Sequence, residues 1–219
     1  MCARLSINWT TRRMREYLQE AFRIDNDYEY ELPRYNIAPS QDLLCVIFDG
    51  VQYRVGAIPF GYSLPTQHDT KIINARAETI LSKPSFKESF QKYRCLILAD
   101  GYYEWDSTKQ PYRITSTEEK LLFLAGIYEV HTNENQGKQS SCAILTTSPI
   151  DLISPVHDRM PLVFTLEEAK QYLNPRIQEP QSLSKYQTFR PSLSLHMYPV
   201  TKKMNSFRFE DEECLKPIH

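Results

Sequence analysis

The chain has 219 residues, with 26 Lys and Arg against 27 Asp and Glu and a formal net charge of -1. That balance excludes a uniformly basic nucleic-acid binder and leaves only a local basic face offset by acid elsewhere, because phosphate neutralisation depends on where the cations sit. Five cysteines, at 2, 45, 95, 142 and 214, are odd in number, widely spaced and without a C-x-x-C pair; a disulfide framework and a thiolate zinc site are excluded, and a cytoplasmic, reducing compartment is expected.

The amino terminus does not read as a secretory signal, since Arg4, Arg12, Arg13 and Arg15 interrupt it. Nothing approaches the roughly 18 apolar residues of a membrane span. Residues 3 to 7 predict a short strand, and Thr10 or Thr11 caps a helix to about Phe22, with Met14, Leu18, Ala21 and Phe22 at helical spacing. Residues 25 to 31 read as an irregular connection. Arg34 to Ser40 is neither clean strand nor helix, with Pro39 fixing a turn. Leu43 to Phe48 and Val51 to Ile58 predict a hairpin across a two-residue Asp49-Gly50 turn. Thr66 to Thr70 reads as a polar loop.

Glu78 to Leu81 and Ser85 to Gln91 predict short helices either side of Pro84, and Cys95 to Ala99 a buried strand turned by Asp100-Gly101. Tyr112 to Ile114, Leu121 to Val130, Ser141 to Thr146 and Met160 to Phe164 continue the strand pattern, with a polar excursion over 131 to 139. Thr165 and Glu168 have the spacing of a capping box that opens a helix through Leu173. Leu195 to Val200 reads as a last strand, followed by an acidic tail at about 210 to 219. The fold class is α+β, a single mixed domain over 1–219 with a curved, largely antiparallel sheet or barrel-like core and peripheral helices. A monomer is expected.

Cys2 carries the distinctive chemistry. Removal of Met1, which a small second side chain permits, would leave an α-amine and a thiol two carbons apart. Such a 1,2-aminothiol traps an aldehyde: the amine condenses to an imine, and the thiol closes a thiazolidine on the same carbon. Reference values of roughly 7.7 to 8 for the amine and about 8.5 for the thiol leave some of each nucleophilic near neutrality. The competing reading is a small apolar residue in the first strand. Asn74, Glu104 and His157 stand out because each ends or turns an apolar segment, where a side chain faces a cleft from a rigid support. Scattered histidines and the lack of H-E-x-x-H leave no metal site and no cofactor to expect.

Several stretches then fall into one pattern: Met1-Cys2, Arg34 to Gln41, Asn74 to Thr79, Cys95 to Trp105, His157 to Pro161, Pro199-Val200 and Lys216 to Ile218. In this order the sequence closely resembles the SRAP (SOS response-associated peptidase) family along almost its full length. The resemblance implies a DNA-damage protein that recognises abasic sites in single-stranded DNA and crosslinks covalently to the ring-opened sugar aldehyde through Cys2. By the family pattern Asn74 positions the amine or sugar, Glu104 shuttles protons, and His157 promotes opening or reclosure of the sugar. Arg4, Arg76 and Arg159 are implied phosphate contacts, with Asn36 and Pro39 shaping a wall for flanking bases. Association with the nucleoid is implied when damaged DNA is bound.

Two departures from the pattern matter. Ala3 stands where the family usually has Gly, and a tryptophan-bearing stretch appears here as Gly56 to Tyr62, which leaves Phe60 or Tyr62 as the expected stacking residue. Two alternatives remain open: a thiol peptidase, limited to self-processing or broader, with Cys2 as nucleophile and His157 as base, and a non-covalent single-stranded DNA-binding module.

Overall fold

The apolar runs pair into two main sheets. The computed structural model describes residues 2–25, 27–64, 67–118, 120–133 and 137–218, with backbone alone at 67–70, 132–133 and 137–138. Strand β1 (Leu5–Ile7) leads into α1 (Thr11–Phe22), then β2 (Arg34–Ile37), β3 (Asp42–Phe48), β4 (Tyr53–Pro59), β5 (Tyr62–Leu64), β6 (Gln67–Ile72) and β7 (Asn74–Arg76). Next come α2 (Pro84–Lys92), β8 (Arg94–Ala99), β9 (Gly101–Trp105), β10 (Pro111–Ser116), β11 (Leu122–Asn133) and β12 (Gly137–Thr147). The order closes with β13 (Met160–Pro161), β14 (Val163–Phe164), α3 (Leu166–Leu173), α4 (Pro180–Leu183) and β15 (Leu195–Pro199).

One sheet runs β15-β10-β9-β1-β2 and the larger β13-β12-β11-β8-β3-β4, with β7 joined in parallel to β12 and β14 to β11. The architecture is the expected α+β arrangement of antiparallel sheets and helices, but no closed barrel forms. Among the described residues no ladder joins β4 to β12; Phe60, just past β4, makes an isolated bridge with Cys142. Every residue of β8 is buried, and each of Leu96, Ile97 and Leu98 contributes roughly 1.5–3 kcal/mol by leaving water. Gly126 of β11 lets that strand pass close, since a Cβ there would lie 2.7 Å from the Cys95 Sγ.

The helices begin where their caps dictate. Thr10 accepts from the Arg13 N–H at 3.2 Å, and Met14, Leu18, Ala21 and Phe22 form the buried face of α1. The Thr165–Glu168 capping box is formed in both directions.

Four local readings are corrected. Arg34–Ile37 is a strand, because β1 supplies an edge and the Glu210 carboxylate accepts the N–H groups of Tyr35 and Asn36. The polar stretch over 67–70 belongs to β6, paired with β5; Thr66 lies outside the described residues. The β3–β4 connection spans 49–52, since Asp49 accepts from the N–H groups of both Val51 and Gln52 and Gly50 takes the left-handed φ of 97°. The excursion over 131–139 is largely strand, with β11 and β12 paired to Asn133 and Gly137; residues 134–136 lie outside the described set. The acidic tail packs back on the protein, with Asp211 capping a short turn over Glu212–Leu215 and Cys214 buried.

Candidate active site

Strand pairing brings the reactive side chains together. Cys2 lies three residues ahead of the start of β1, which pairs with β9 so that Leu5 faces Tyr102 and the Tyr103 N–H donates to the Arg4 carbonyl at 3.0 Å. Glu104 lies further along β9 towards Cys2. On the opposite face of this sheet a buried ion pair fixes the register: Arg113 Nη2 donates to Asp100 Oδ1 at 2.9 Å, the Ser6 hydroxyl donates to the same oxygen at 2.7 Å, and Asp100 Oδ2 accepts the Asn8 N–H at 2.7 Å. Asn74 arrives from the second sheet, held opposite Ile144 by the parallel β7–β12 pairing. Its Nδ2 donates to the Cys2 carbonyl at 3.0 Å.

His157 comes from the loop between β12 and β13. Its Nε2 lies 3.8 Å from Glu104 Oε2, and its Nδ1 is 3.0 Å from both the Arg159 N and Asp158 Oδ1. Burial lowers the imidazole below its ordinary value, which favours the neutral ring. Asp158 is 84% exposed and well solvated, so Nδ1 accepts the Arg159 N–H and the ring proton sits on Nε2, toward Glu104.

Glu104 is 1% exposed and burial pushes its carboxyl up to about 7. A carboxyl at that value exchanges protons at neutral pH. Cys2 is fully buried, and its thiol is raised first by burial and then by the Glu104 charge. The thiol is therefore a weaker nucleophile than a free cysteine until a base takes its proton. Asn74 Oδ1 is buried without a hydrogen-bond partner among the described residues. Met1 lies outside them, and in the 219-residue chain the Cys2 nitrogen is an amide.

The expected phosphate contacts divide. Arg76 is exposed at the end of β7, its side chain without a hydrogen bond or ion pair among the described residues. Arg4 is committed elsewhere: Nη1 donates to Asn36 Oδ1 at 2.8 Å and the Met204 carbonyl at 2.9 Å, and Nη2 to the Asn205 carbonyl at 3.2 Å. Arg159 forms a two-pronged pair with Glu78, both contacts at 2.8 Å, and donates to the Thr146 carbonyl at 2.6 Å. It is 12% exposed and braces the His157 loop, so it is no free phosphate contact.

The expected base wall changes more. Asn36 is fully buried, and its Nδ2 lies 2.9 to 3.0 Å from the carbonyls of Met204, Ser206 and Phe209. It ties down the C-terminal segment and cannot meet a base. Phe60 is fully buried and Tyr62 is 3% exposed with its hydroxyl 2.8 Å from Ser89 Oγ, so neither can stack on DNA. Pro39 remains half-buried at the surface of its turn.

Two aromatic positions escaped sequence reasoning. Trp105 follows Glu104, is half-buried, and donates from Nε1 to Asn205 Oδ1 at 2.7 Å. Phe207 is 55% exposed with the Arg208 guanidinium 5.7 Å from its ring centre. Both adjoin the segment held by Arg4 and Asn36. The signal for Phe207 was an aromatic-basic pair just before the acidic run, masked by the charge of that run.

The profile described as SOS response associated peptidase (SRAP) matches residues 1–207. The chain is 37% identical over 208 residues to a Bacillus subtilis protein named abasic site processing protein YoqW, covering 90% of this chain and 92% of that one. It is 26% identical over 225 residues to the Escherichia coli abasic site processing protein YedK, covering all of both. A crystal structure of a Bacteroides thetaiotaomicron protein superposes with a TM-score of 0.81 over the whole of both chains at 22% identity, a likeness of fold. Among the described residues no helix is long and apolar enough to cross a membrane, and no group of three His, Cys, Asp or Glu could hold a metal.

Proposed function

The chain belongs to the SOS response associated peptidase family, and on that footing we propose that it captures abasic sites in single-stranded DNA as a thiazolidine on Cys2 once Met1 has been removed. The observation that carries this reading is the convergence of Asn74 and Glu104, with His157 beside Glu104, on one N-terminal cysteine. The names of the relatives, which specify abasic site processing, support the choice of substrate.

The freed α-amine attacks the C1′ aldehyde of the ring-opened sugar, releasing water and leaving an imine. Asn74 holds the Cys2 carbonyl and offers its vacant Oδ1 to the amine. Glu104, poised at about 7, takes the thiol proton so that sulfur can add to the imine carbon. The nitrogen then recovers a proton from the same carboxyl. His157, neutral with Nε2–H turned inward, donates to a sugar hydroxyl. Arg76 supplies a phosphate contact indifferent to sequence, and Trp105, Phe207 and Arg208 supply stacking surface for neighbouring bases.

A denaturing gel of protein mixed with an abasic oligonucleotide tests the reading. A band that survives heating is expected for the wild type and none for Cys2→Ala. An uncleaved extension ahead of Cys2 abolishes ring closure because it removes the amine, whereas acylation of a peptidase thiol would persist. A heat-stable band with the extended protein counts against the thiazolidine.

A further inference from the structure

The face of the first sheet turned away from Glu104 carries a cavity of about 560 Å³. Side chains alternate along a strand, so Leu5, Tyr102 and Glu104 share the reactive face, while Ser6, Gly101, Arg113 and Thr115 share the other. The volume falls in the range of roughly 300–1,000 Å³ that small-molecule sites occupy.

The Arg113 guanidinium forms the floor, laid so closely over Gly101 that a Cβ there would lie 3.0 Å from three of its atoms. Arg113 is 7% exposed. Its Nη2 donates to Asp100 Oδ1 at 2.9 Å, its Nη1 to the Tyr198 hydroxyl at 2.8 Å, and its Nε and Nη2 reach Ser6 Oγ at 3.4 and 3.3 Å. A guanidinium has five N–H groups, so Nη1 retains one donor beyond these. Around the rim stand Asn8, Arg13 and His196, all exposed, whose side chains make no hydrogen bond or ion pair among the described residues. The Arg13 guanidinium carbon lies 4.0 Å from the Trp9 ring centre, and the His196 ring centre 5.3 Å from that of Tyr198.

Charge decides the kind of guest. Two arginines line the cavity against one carboxylate, Asp100, whose oxygens already accept from Arg113, the Ser6 hydroxyl and the Asn8 N–H. The acids that follow along the chain are engaged as well, Glu16 with Arg12 and Glu118 with Lys120. An anion entering here gains charge-assisted hydrogen bonds from donors that are free to give them. The rings of His196 and Tyr198, beside those donors, offer a stacking surface to a planar heterocycle.

We propose that this cavity binds a nucleotide, its phosphate on Arg13 and Arg113 and its base against His196 and Tyr198. The site lies across the sheet from the reactive face and does not depend on the crosslinking reading. A free nucleotide and the phosphorylated end of a DNA strand present the same chemistry.

Isothermal titration of the full chain tests the site with dAMP, deoxyadenosine, inorganic phosphate, and an undamaged oligonucleotide carrying either a 5′-phosphate or a 5′-hydroxyl. dAMP should bind about tenfold more tightly than deoxyadenosine, which lacks the charge, and more tightly than inorganic phosphate, which lacks the ring. Arg13→Ala should weaken dAMP about tenfold, the worth of one hydrogen bond to a charged group. His196→Ala should weaken dAMP but not inorganic phosphate. Both variants should keep the wild-type melting temperature and rate of adduct formation. A gain for the 5′-phosphorylated strand over its hydroxyl twin assigns the site to DNA ends, and equal binding of the two assigns it to free nucleotides. No heat with dAMP at millimolar concentration, equal affinity for dAMP and deoxyadenosine, or an affinity for dAMP unchanged in either variant overturns the proposal. So does competition by dAMP against adduct formation with a 5′-hydroxyl abasic oligonucleotide, since that would place the ligand beside Cys2.

Discussion

Glu104 concentrates the chemistry of the site in one ionisation. Its folded value of about 7 lies above the ordinary 4.5 of a glutamate, so the folded protein prefers the protonated form. The stability this provides is complete below pH 4.5 and is lost as pH rises through 7, a swing on the order of 3 kcal/mol. Glu104→Gln should flatten that dependence in urea titrations run at a series of pH values, and should erase the limb near pH 7 from crosslinking rates. A wild-type stability that rises across the same window contradicts the assignment. The arginines separate in the same residue-by-residue way. Arg159→Ala should cost about 2–3 kcal/mol, because it strips a forked carboxylate pair and a loop carbonyl of their donor. Arg76→Ala should stay within about 0.5 kcal/mol in stability, yet weaken DNA binding and lower the salt slope by about 1. Residue type alone could not tell these two apart. The family pattern implies Arg76 and, less directly, Arg159 as phosphate contacts, and only the folded chain shows Glu78 and Thr146 holding Arg159.

Helices α1 and α3 were legible because their signals are local: a threonine cap, a buried face at helical spacing, and a Glu three residues past Thr165. Thr165→Ala should therefore cost about 1 kcal/mol, read as a lowered urea midpoint. β2 was not legible, since the pattern over 34–37 is half polar and the partners that make it a strand come from β1 and from Glu210, more than 170 residues away. The same distance hid the role of Asn36. Its neighbours in the chain suggest an exposed turn, while in the fold it secures Met204, Ser206 and Phe209. Asn36→Ala should loosen that segment at a cost of roughly 2–3 kcal/mol, with faster amide exchange over 204–210. A segment that stays protected in the variant contradicts the hub. Phe60 and Tyr62 failed as stacking residues for a related reason: the strand face they occupy is decided by the Phe60–Cys142 bridge and the Ser89 contact, both long-range.

At the scale of the whole molecule, two sheets meet so that one delivers Cys2 and Glu104 and the other Asn74, with a braced loop adding His157. The ion pair of Asp100 and Arg113 locks β1, β9 and β10 from behind. The strand pairing, the braced loop and the buried ion pair hold these groups in place, as the proposed reaction, which gathers an amine, a thiol and a carboxyl about one carbon, would require. A near-neutral net charge is compatible with DNA as partner because tail carboxylates are engaged within the protein, where Glu210 accepts N–H groups of β2, Glu213 pairs with Lys203 and Asp211 caps a turn, while Arg76 and Arg208 are among the exposed cations. The central claim is a covalent bond to a processed N-terminal cysteine. Intact mass of the protein before and after incubation with an abasic oligonucleotide reads both halves of it. The account predicts a starting mass that lacks Met1, then a heat-stable species equal to protein plus oligonucleotide less one water, absent in Cys2→Ala. A retained Met1 together with an adduct, or an adduct that forms equally well without the Cys2 thiol, contradicts it.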